Sequence, residues 1–258
     1  MNTIKHTLSL FVVVCTAFTA IAQENLNQTD SKGQKQGKWE KNYPNGKLAY
    51  TGSFKNDKPI GEWKRFHQNG MPMAVMLYDT QSDSCYMQLF SDEGKLSSKG
   101  VYIGKKKLGE WRYYDNNGKV IATEFYTDGL KNGVAQAYGA NGKLVEKVIW
   151  KNGLKDGVSV RMNVDGSLIY EMLYCNGQLN GLVRYYYPNG QIQFEGRYVN
   201  DIKEGEWKSY DKTGRVLKET VYRNGVPDDY DEQLEEESRQ LLLLEQQKGR
   251  FSEPDINF

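Results

Sequence analysis

Residues 109–132 read GEWRYYDNNGKVIATEFYTDGLKN. Gly109 opens this stretch, Gly118 follows nine residues on, and the aromatic Tyr126 follows at seventeen. The same three marks recur at a fixed interval of 24 residues on both sides. Starting glycines stand at Gly37, Gly61, Gly109, Gly133, Gly157, Gly181 and Gly205, with Cys85 in the one vacant slot. The second glycine is present every time, at Gly46, Gly70, Gly94, Gly118, Gly142, Gly166, Gly190 and Gly214. The aromatic is equally complete: Phe54, Tyr78, Tyr102, Tyr126, Trp150, Tyr174, Tyr198 and Tyr222. A fixed period of this size marks a repeat architecture. The chain therefore carries eight repeats over 37–228, without insertion or deletion between starts.

Each column has a physical reading. Asn precedes the second glycine at Asn45, Asn69, Asn117, Asn141 and Asn189. Asn-Gly is a strong hairpin signal, because glycine adopts positive φ without a steric cost. A second turn closes each repeat, as at Asn152-Gly153, Asn176-Gly177 and Asn224-Gly225. Each repeat thus reads strand, tight turn, strand, turn. Trp39, Trp63, Trp111 and Trp207 lie two residues after the starting glycine. Repeats five to seven have Ala135, Ser159 and Val183 there instead. Along the second strand the aliphatic at eleven and the aromatic at seventeen share a face. Apolar residues at twelve and sixteen blur the alternation, and the buried face stays open. Met71, Met73, Met76 and Met87 cluster where the repeat has drifted. Methionine filling such gaps is the plainer reading, and an adaptable binding surface is the alternative.

Composition agrees with short strands and tight turns: 258 residues include 26 Gly and 18 Tyr but only 6 Pro. The formal charge of +1 gives no global field for nucleic acid. That total conceals an asymmetry. Residues 228–258 hold ten acids and three bases, while the repeat region is basic. At the N-terminus, Lys5, the apolar run Leu8–Ala20 and the small-x-small triplet Ala20-Ile21-Ala22 read as a cleaved export signal. Cleavage after Ala22 is expected, so residues 1–22 are removed and no membrane span remains. Residues 23–36 are polar and read as a flexible lead-in.

The pattern Gly109-x-Trp111-x-x-Tyr114-x-x-Asn117-Gly118, closing with Tyr126, resembles the MORN-repeat variant family. Gly205-Glu206-Trp207 through Gly214 and Tyr222 is a second good copy. The resemblance covers roughly residues 37–228. It implies an all-β fold, an elongated single-sheet antiparallel meander with one hairpin per repeat. It also implies binding rather than chemistry. Bacterial members are grouped with antitoxin-like (YwqK-like) proteins, and MORN repeats elsewhere are linked to scaffolding and acidic lipids.

Candidate sites are few. Cys85 and Cys175 lie 90 residues apart, and in a linear meander that is roughly 35 Å, too far for a disulfide. Glu62, Glu110 and Glu206 fill one repeated slot, which makes a ladder of solvated charges rather than a catalytic pair. His67 is the one histidine left after cleavage, and one cannot build a triad or a zinc site. No enzyme, metal or cofactor is expected. Tyr113-Tyr114 and Tyr185-Tyr186-Tyr187 put neighbouring rings on opposite faces, so some must meet water or a second layer. They are candidate binding residues, and cross-strand ladders are the plainer alternative. The acidic segment 229–250 reads as a helix with Leu234, Leu241 and Leu244 on its apolar band, followed by a tail, 251–258, with Phe251 and Phe258. It serves as a cap on the open sheet edge, a docking element, or a cover for the basic sheet. The expected function is exported, periplasmic or extracellular protein–protein interaction, as scaffold or immunity-like partner. Acidic-lipid or glycan binding is the alternative.

Overall fold

The computed structural model describes residues 25–228 and 238–242. The calls on the export signal, on Leu234, Leu244, Phe251 and Phe258, and on most of the helix over 229–250 lie outside them. The described chain is one open antiparallel sheet of 19 strands in meander order. Repeat by repeat, the paired strands are Lys35–Asn42 with Leu48–Lys55, Lys58–Phe66 with Pro72–Tyr78, Ser84–Phe90 with Leu96–Ile103, and Lys106–Tyr114 with Val120–Thr127. They continue as Gly133–Tyr138 with Leu144–Lys151, Leu154–Met162 with Leu168–Cys175, Gln178–Tyr186 with Ile192–Val199, and Ile202–Tyr210 with Val216–Arg223. Gln28–Thr29, Leu130–Lys131 and Val226–Pro227 are two-residue strands. The first of these corrects the expectation of a flexible lead-in. Thr29 pairs with Lys35 and Gln28 with Gln36, so part of that stretch already belongs to the sheet.

Turn chemistry follows the glycine columns. In the first turn Gly46, at φ +81°, donates its N–H to the Tyr43 carbonyl. The second turn puts two successive residues at positive φ, as at Asn152 (50°) and Gly153 (82°), the geometry that matches strand twist. Asparagine does more than turn the chain. The Asn45 side-chain amide donates to the Gln68 carbonyl, Asn69 to Asp92, Asn141 to Val164 and Asn189 to Lys212, at 2.6–3.0 Å. Each is a strut from one turn to the corresponding turn of the next repeat. Tyr43, His67 and Tyr187 add parallel struts, to the carbonyls of Phe66, Phe90 and Tyr210. His67 is thus placed as an architectural link.

The starting glycine sits at a β-bulge, where the register slips against the preceding strand. Cys85 occupies that column without positive φ, and the strands there pair in unbroken register from Ala74–Leu89 to Tyr78–Cys85. The bulge requires glycine, and where glycine is missing the bulge is missing too.

The residue two after each start points to one face, here called the Trp face. Across the sheet it faces the residue fifteen after each start: Trp39 with Gly52, Trp63 with Met76, Met87 with Gly100, Ala135 with Val148, Ser159 with Met172, Val183 with Gly196 and Trp207 with Thr220. Across the next repeat boundary, volumes are exchanged. A Cβ on Gly52, Gly100 or Gly196 would stand 2.0, 2.4 and 2.2 Å from ring carbons of Trp63, Trp111 and Trp207, eleven residues further on. Each tryptophan lies flat on a glycine. Where the later residue is small, the earlier is large: Val148 before Ser159, Met172 before Val183. In the third repeat two methionines, Met76 and Met87, meet instead, so this pair of the Met cluster fills the core. Met71, by contrast, is exposed. The result is two buried clusters, one around Trp63 and Trp111, the other around Tyr170, Val183 and Trp207.

Candidate binding surfaces

Along one border of the Trp face, lysines two residues before the starting glycine lie against aromatic rings. Lys35 sits over Trp39 and Phe54, Lys131 over Trp150, Lys155 over Tyr174, and Lys203 over Trp207 and Tyr222, at 4.5–5.1 Å. Lys107 lies over Trp111, Tyr113 and Tyr126. Cation–π attraction holds each ammonium where the ring faces are richest in electrons. Between Lys107 and Lys131 this border opens into a groove of about 640 Å³, lined also by Lys105, Tyr102, Tyr126 and Trp150. The Trp150 indole N–H is buried there with no acceptor among the described residues.

Beside the groove lies a half-buried polar knot. Glu124 takes Lys131 Nζ at 2.6 Å, the Tyr113 hydroxyl at 2.9 Å and the Tyr126 hydroxyl at 2.5 Å. Burial works against the carboxylate, but Lys131 and the two phenols outweigh it and hold Glu124 below its ordinary range. Burial and the same carboxylate push the Tyr113 phenol well up. Among the described residues, no cluster of His, Cys, Asp and Glu could hold a metal. The Glu62, Glu110 and Glu206 ladder faces the other side and pairs locally with Lys64, Arg112 and Lys208, at 2.6–3.3 Å. Cys85 is buried, with its thiol pushed up by that burial, and Cys175 is exposed, both as free thiols.

The tyrosines singled out from sequence are largely occupied. Tyr185 is buried and stacks on Phe194 at 4.3 Å. Tyr113 points into the polar knot. Tyr186, on the opposite face, donates to Glu171 at 2.8 Å, and burial with that carboxylate raises its pKa to about 12. Tyr187 is an inter-repeat strut, and Tyr114 lies half-buried under Lys99. Most thus make cross-strand or inter-repeat contacts. Leu241 belongs to helical residues 238–242, which lie on the Trp face of the last repeats. It packs against the Trp207 cluster, and Lys203 reaches the Ser238 hydroxyl at 3.1 Å. A cleft of about 340 Å³ runs beneath it, between Phe194, Trp207 and Lys218.

Sequence reasoning missed the opposite face. Phe125, Val134, Ile149, Val158, Leu173 and Leu182 form one row over six adjacent long strands. Val134 pairs with Ile149 and Val158 with Leu173. Phe125, Val158, Leu173 and Leu182 are 38–53% exposed. Glu110, paired with Phe125, interrupts the row on one side, before Val101, Tyr86 and Leu77, and Arg197, paired with Leu182, bounds it on the other. The signal was present in the residues one after each start. They are Lys38, Glu62, Glu110 and Glu206 in tryptophan repeats, but Val134, Val158 and Leu182 in repeats five to seven.

Comparison with known proteins adds matches of five repeats to one family model and little else. No curated protein matches the chain. Two solved structures are similar over a part: a point mutant of S. aureus TarM in complex with fondaparinux, alpha-GlcNAc-glycerol and UDP, and TarM itself. Identity is 17% for both, with TM-scores of 0.29 and 0.28 over 37% and 39% of this chain. The chain spans 19% and 20% of those structures' length. At that level the likeness carries no argument. The family model of the MORN repeat variant matches residues 35–56, 107–128, 131–152, 179–200 and 203–224. Repeats one, four, five, seven and eight of this sheet thus match the MORN repeat variant, and the remaining three place the same strand pair in the same sheet.

Proposed function

We propose that this chain is an exported, non-enzymatic binding protein that engages another protein through the face opposite its tryptophans. One observation carries the reading: the apolar row Phe125 to Leu182, in which Phe125, Val158, Leu173 and Leu182 are exposed and Val134 and Ile149 half-buried between them. Exposed apolar residues scattered singly need no explanation, but a row over six adjacent strands marks an interaction surface. Export rests on Lys5, the apolar run Leu8–Ala20 and Ala20-Ile21-Ala22. The test is capture from envelope extract with the chain from Gln23 onward and with a Leu173→Lys, Leu182→Lys variant. Binding of the same stoichiometric partner by both would remove the row from the account.

A second reading rests on the lysine–aromatic groove. An anionic glycan or lipid headgroup would suit Lys105, Lys107 and Lys131 beside Tyr126 and Trp150. Binding there would weaken steeply with salt if it depends on charge. A groove variant, Lys105→Glu with Trp150→Leu, would separate it from the row.

A further inference from the structure

We propose that the partner for the apolar row is a second copy of this chain, stacked face to face with its row running in the opposite direction. The inference rests on the reading that the row binds protein, and adds which protein and in which orientation.

The argument is one of self-complementarity. Eight adjacent strands carry, in order, Glu110, Phe125, Val134, Ile149, Val158, Leu173, Leu182 and Arg197. The next row on the same face carries Arg112 beside Glu110 and Glu195 beside Arg197. At one end the signs are therefore minus then plus, and at the other plus then minus. A two-fold axis parallel to the strands, between Ile149 and Val158, reverses the row. It brings Glu110 to the second copy's Arg197, and Arg112 to its Glu195. It also brings Phe125 to Leu182, Val134 to Leu173 and Ile149 to Val158. Both rows then meet with opposite charge at both ends. A two-fold axis along the row would do the reverse, setting Glu110 on Glu110 and Arg197 on Arg197. Like-charge contact of that kind selects against the wrong arrangement.

Existing pairs are compatible with this. Arg112 holds Glu110 at 2.8 Å and Arg184 holds Glu195 at 2.9 Å, so each end presents a preformed pair rather than a lone charge. Arg197 is exposed. Size also fits. Eight strands at ~4.8 Å give a row roughly 34 Å long, and with a flanking row on each side roughly 20 Å wide. That is on the order of 700 Å² per copy, close to the ~800 Å² of a standard interface. Stacked sheets cross at about 30°, which leaves the ends within reach.

The experiment is sedimentation equilibrium across a concentration series, on the chain from Gln23 onward. A concentration-dependent dimer is expected. Leu173→Lys should make it a monomer that keeps the far-ultraviolet circular dichroism of the sheet, which shows that the sheet still folds. Glu110→Arg and Arg197→Glu should each weaken dimerisation about tenfold, and together recover most of it. Orientation is read by a disulfide. Phe125→Cys with Leu182→Cys, in a Cys175→Ser background, should give an oxidised dimer. Within one chain the two positions are five strand spacings apart, roughly 24 Å, out of disulfide range. A monomer at every concentration, or a dimer indifferent to Leu173→Lys, overturns the proposal. In that event, an envelope protein lost by the Leu173→Lys, Leu182→Lys variant keeps the interaction reading with another partner. A protein retained by that variant defeats both.

Discussion

Repeats one, two, four and eight carry a tryptophan after the starting glycine, and repeats five to seven do not. The two groups solve one packing problem from opposite sides. In the first, the indoles of Trp63, Trp111 and Trp207 lie on a glycine of the preceding repeat, and Trp63 and Trp111 donate their ring N–H to the Ser53 and Val101 carbonyls. The starting glycine stands at φ 63–74°, with nothing within 4 Å of a would-be Cβ. In the second group, φ opens to 117–134°, and Phe125, Ile149 and Leu173 close over the glycine from the other face. Bulk has moved through the sheet. A single layer can do this because every strand has two faces and neither is committed to a second layer. The lesson is that one repeat template can bury its apolar surface in one block and display it in the next.

Four measurements would break or sharpen this contrast. The largest effect is expected for Trp111→Ala. Its ring is 1% exposed, and loss of a buried aromatic costs about 3–5 kcal/mol, read as a shifted denaturant midpoint. Val183→Ala, at the same column of a tryptophan-free repeat, should cost less. Next comes a transplant. Gly100→Val alone drives a side chain into Trp111 and should cost about 2–3 kcal/mol. Combined with Trp111→Ser it copies the Val148 and Ser159 pair, so the two changes should couple by at least about 1 kcal/mol. Strict additivity would show that the volumes are not exchanged. Third, the glycines should differ. Gly109→Ala meets open space but keeps a left-handed φ, at about 1 kcal/mol. Gly181→Ala would also press on Leu173, 2.5 Å away, and should cost about 2 kcal/mol.

The smallest effect lies at the seam between the blocks. Glu124 stands opposite Trp111, on the strand before Ala135. Its carboxyl is held below the ordinary range, so its contribution is present above that range. It is lost as pH falls through the lowered value. Glu124→Gln should therefore be less stable near neutrality, with a gap that closes on acidification. A gap constant with pH would remove the charge from the explanation.

Much of this was legible from residues alone. The columns of glycine and aromatic fixed eight hairpins, because turns and bulges make local demands that only a few residue types meet. Cys85 even marked the strand without a bulge. The exchange of volume between Gly100 and Trp111 was equally written in the sequence, but it joins two repeats across a slipped register. A slip cannot be placed until the strands are paired. The apolar residues at position sixteen looked like untidy alternation for the same reason. They are a second pattern, carried by Phe125, Ile149 and Leu173, with its own face. Tyr113 and Tyr185 drew attention as consecutive aromatics, yet their hydroxyl and ring partners come from neighbouring strands that composition does not reveal.

The asparagine struts have a chemical consequence. Asn followed by glycine is the sequence most prone to lose its side-chain amide spontaneously, leaving aspartate or isoaspartate. At Asn45, Asn69, Asn141 and Asn189 the side-chain oxygen accepts from the backbone two residues on, which an aspartate could still do. The amide that reaches the next turn it could not replace. Each event that ends in aspartate would leave a hairpin closed, cut one link between repeats, and add one negative charge, whereas isoaspartate would also lengthen the turn's backbone by one carbon. The turn edge of this sheet would therefore record the age of the molecule, one repeat at a time.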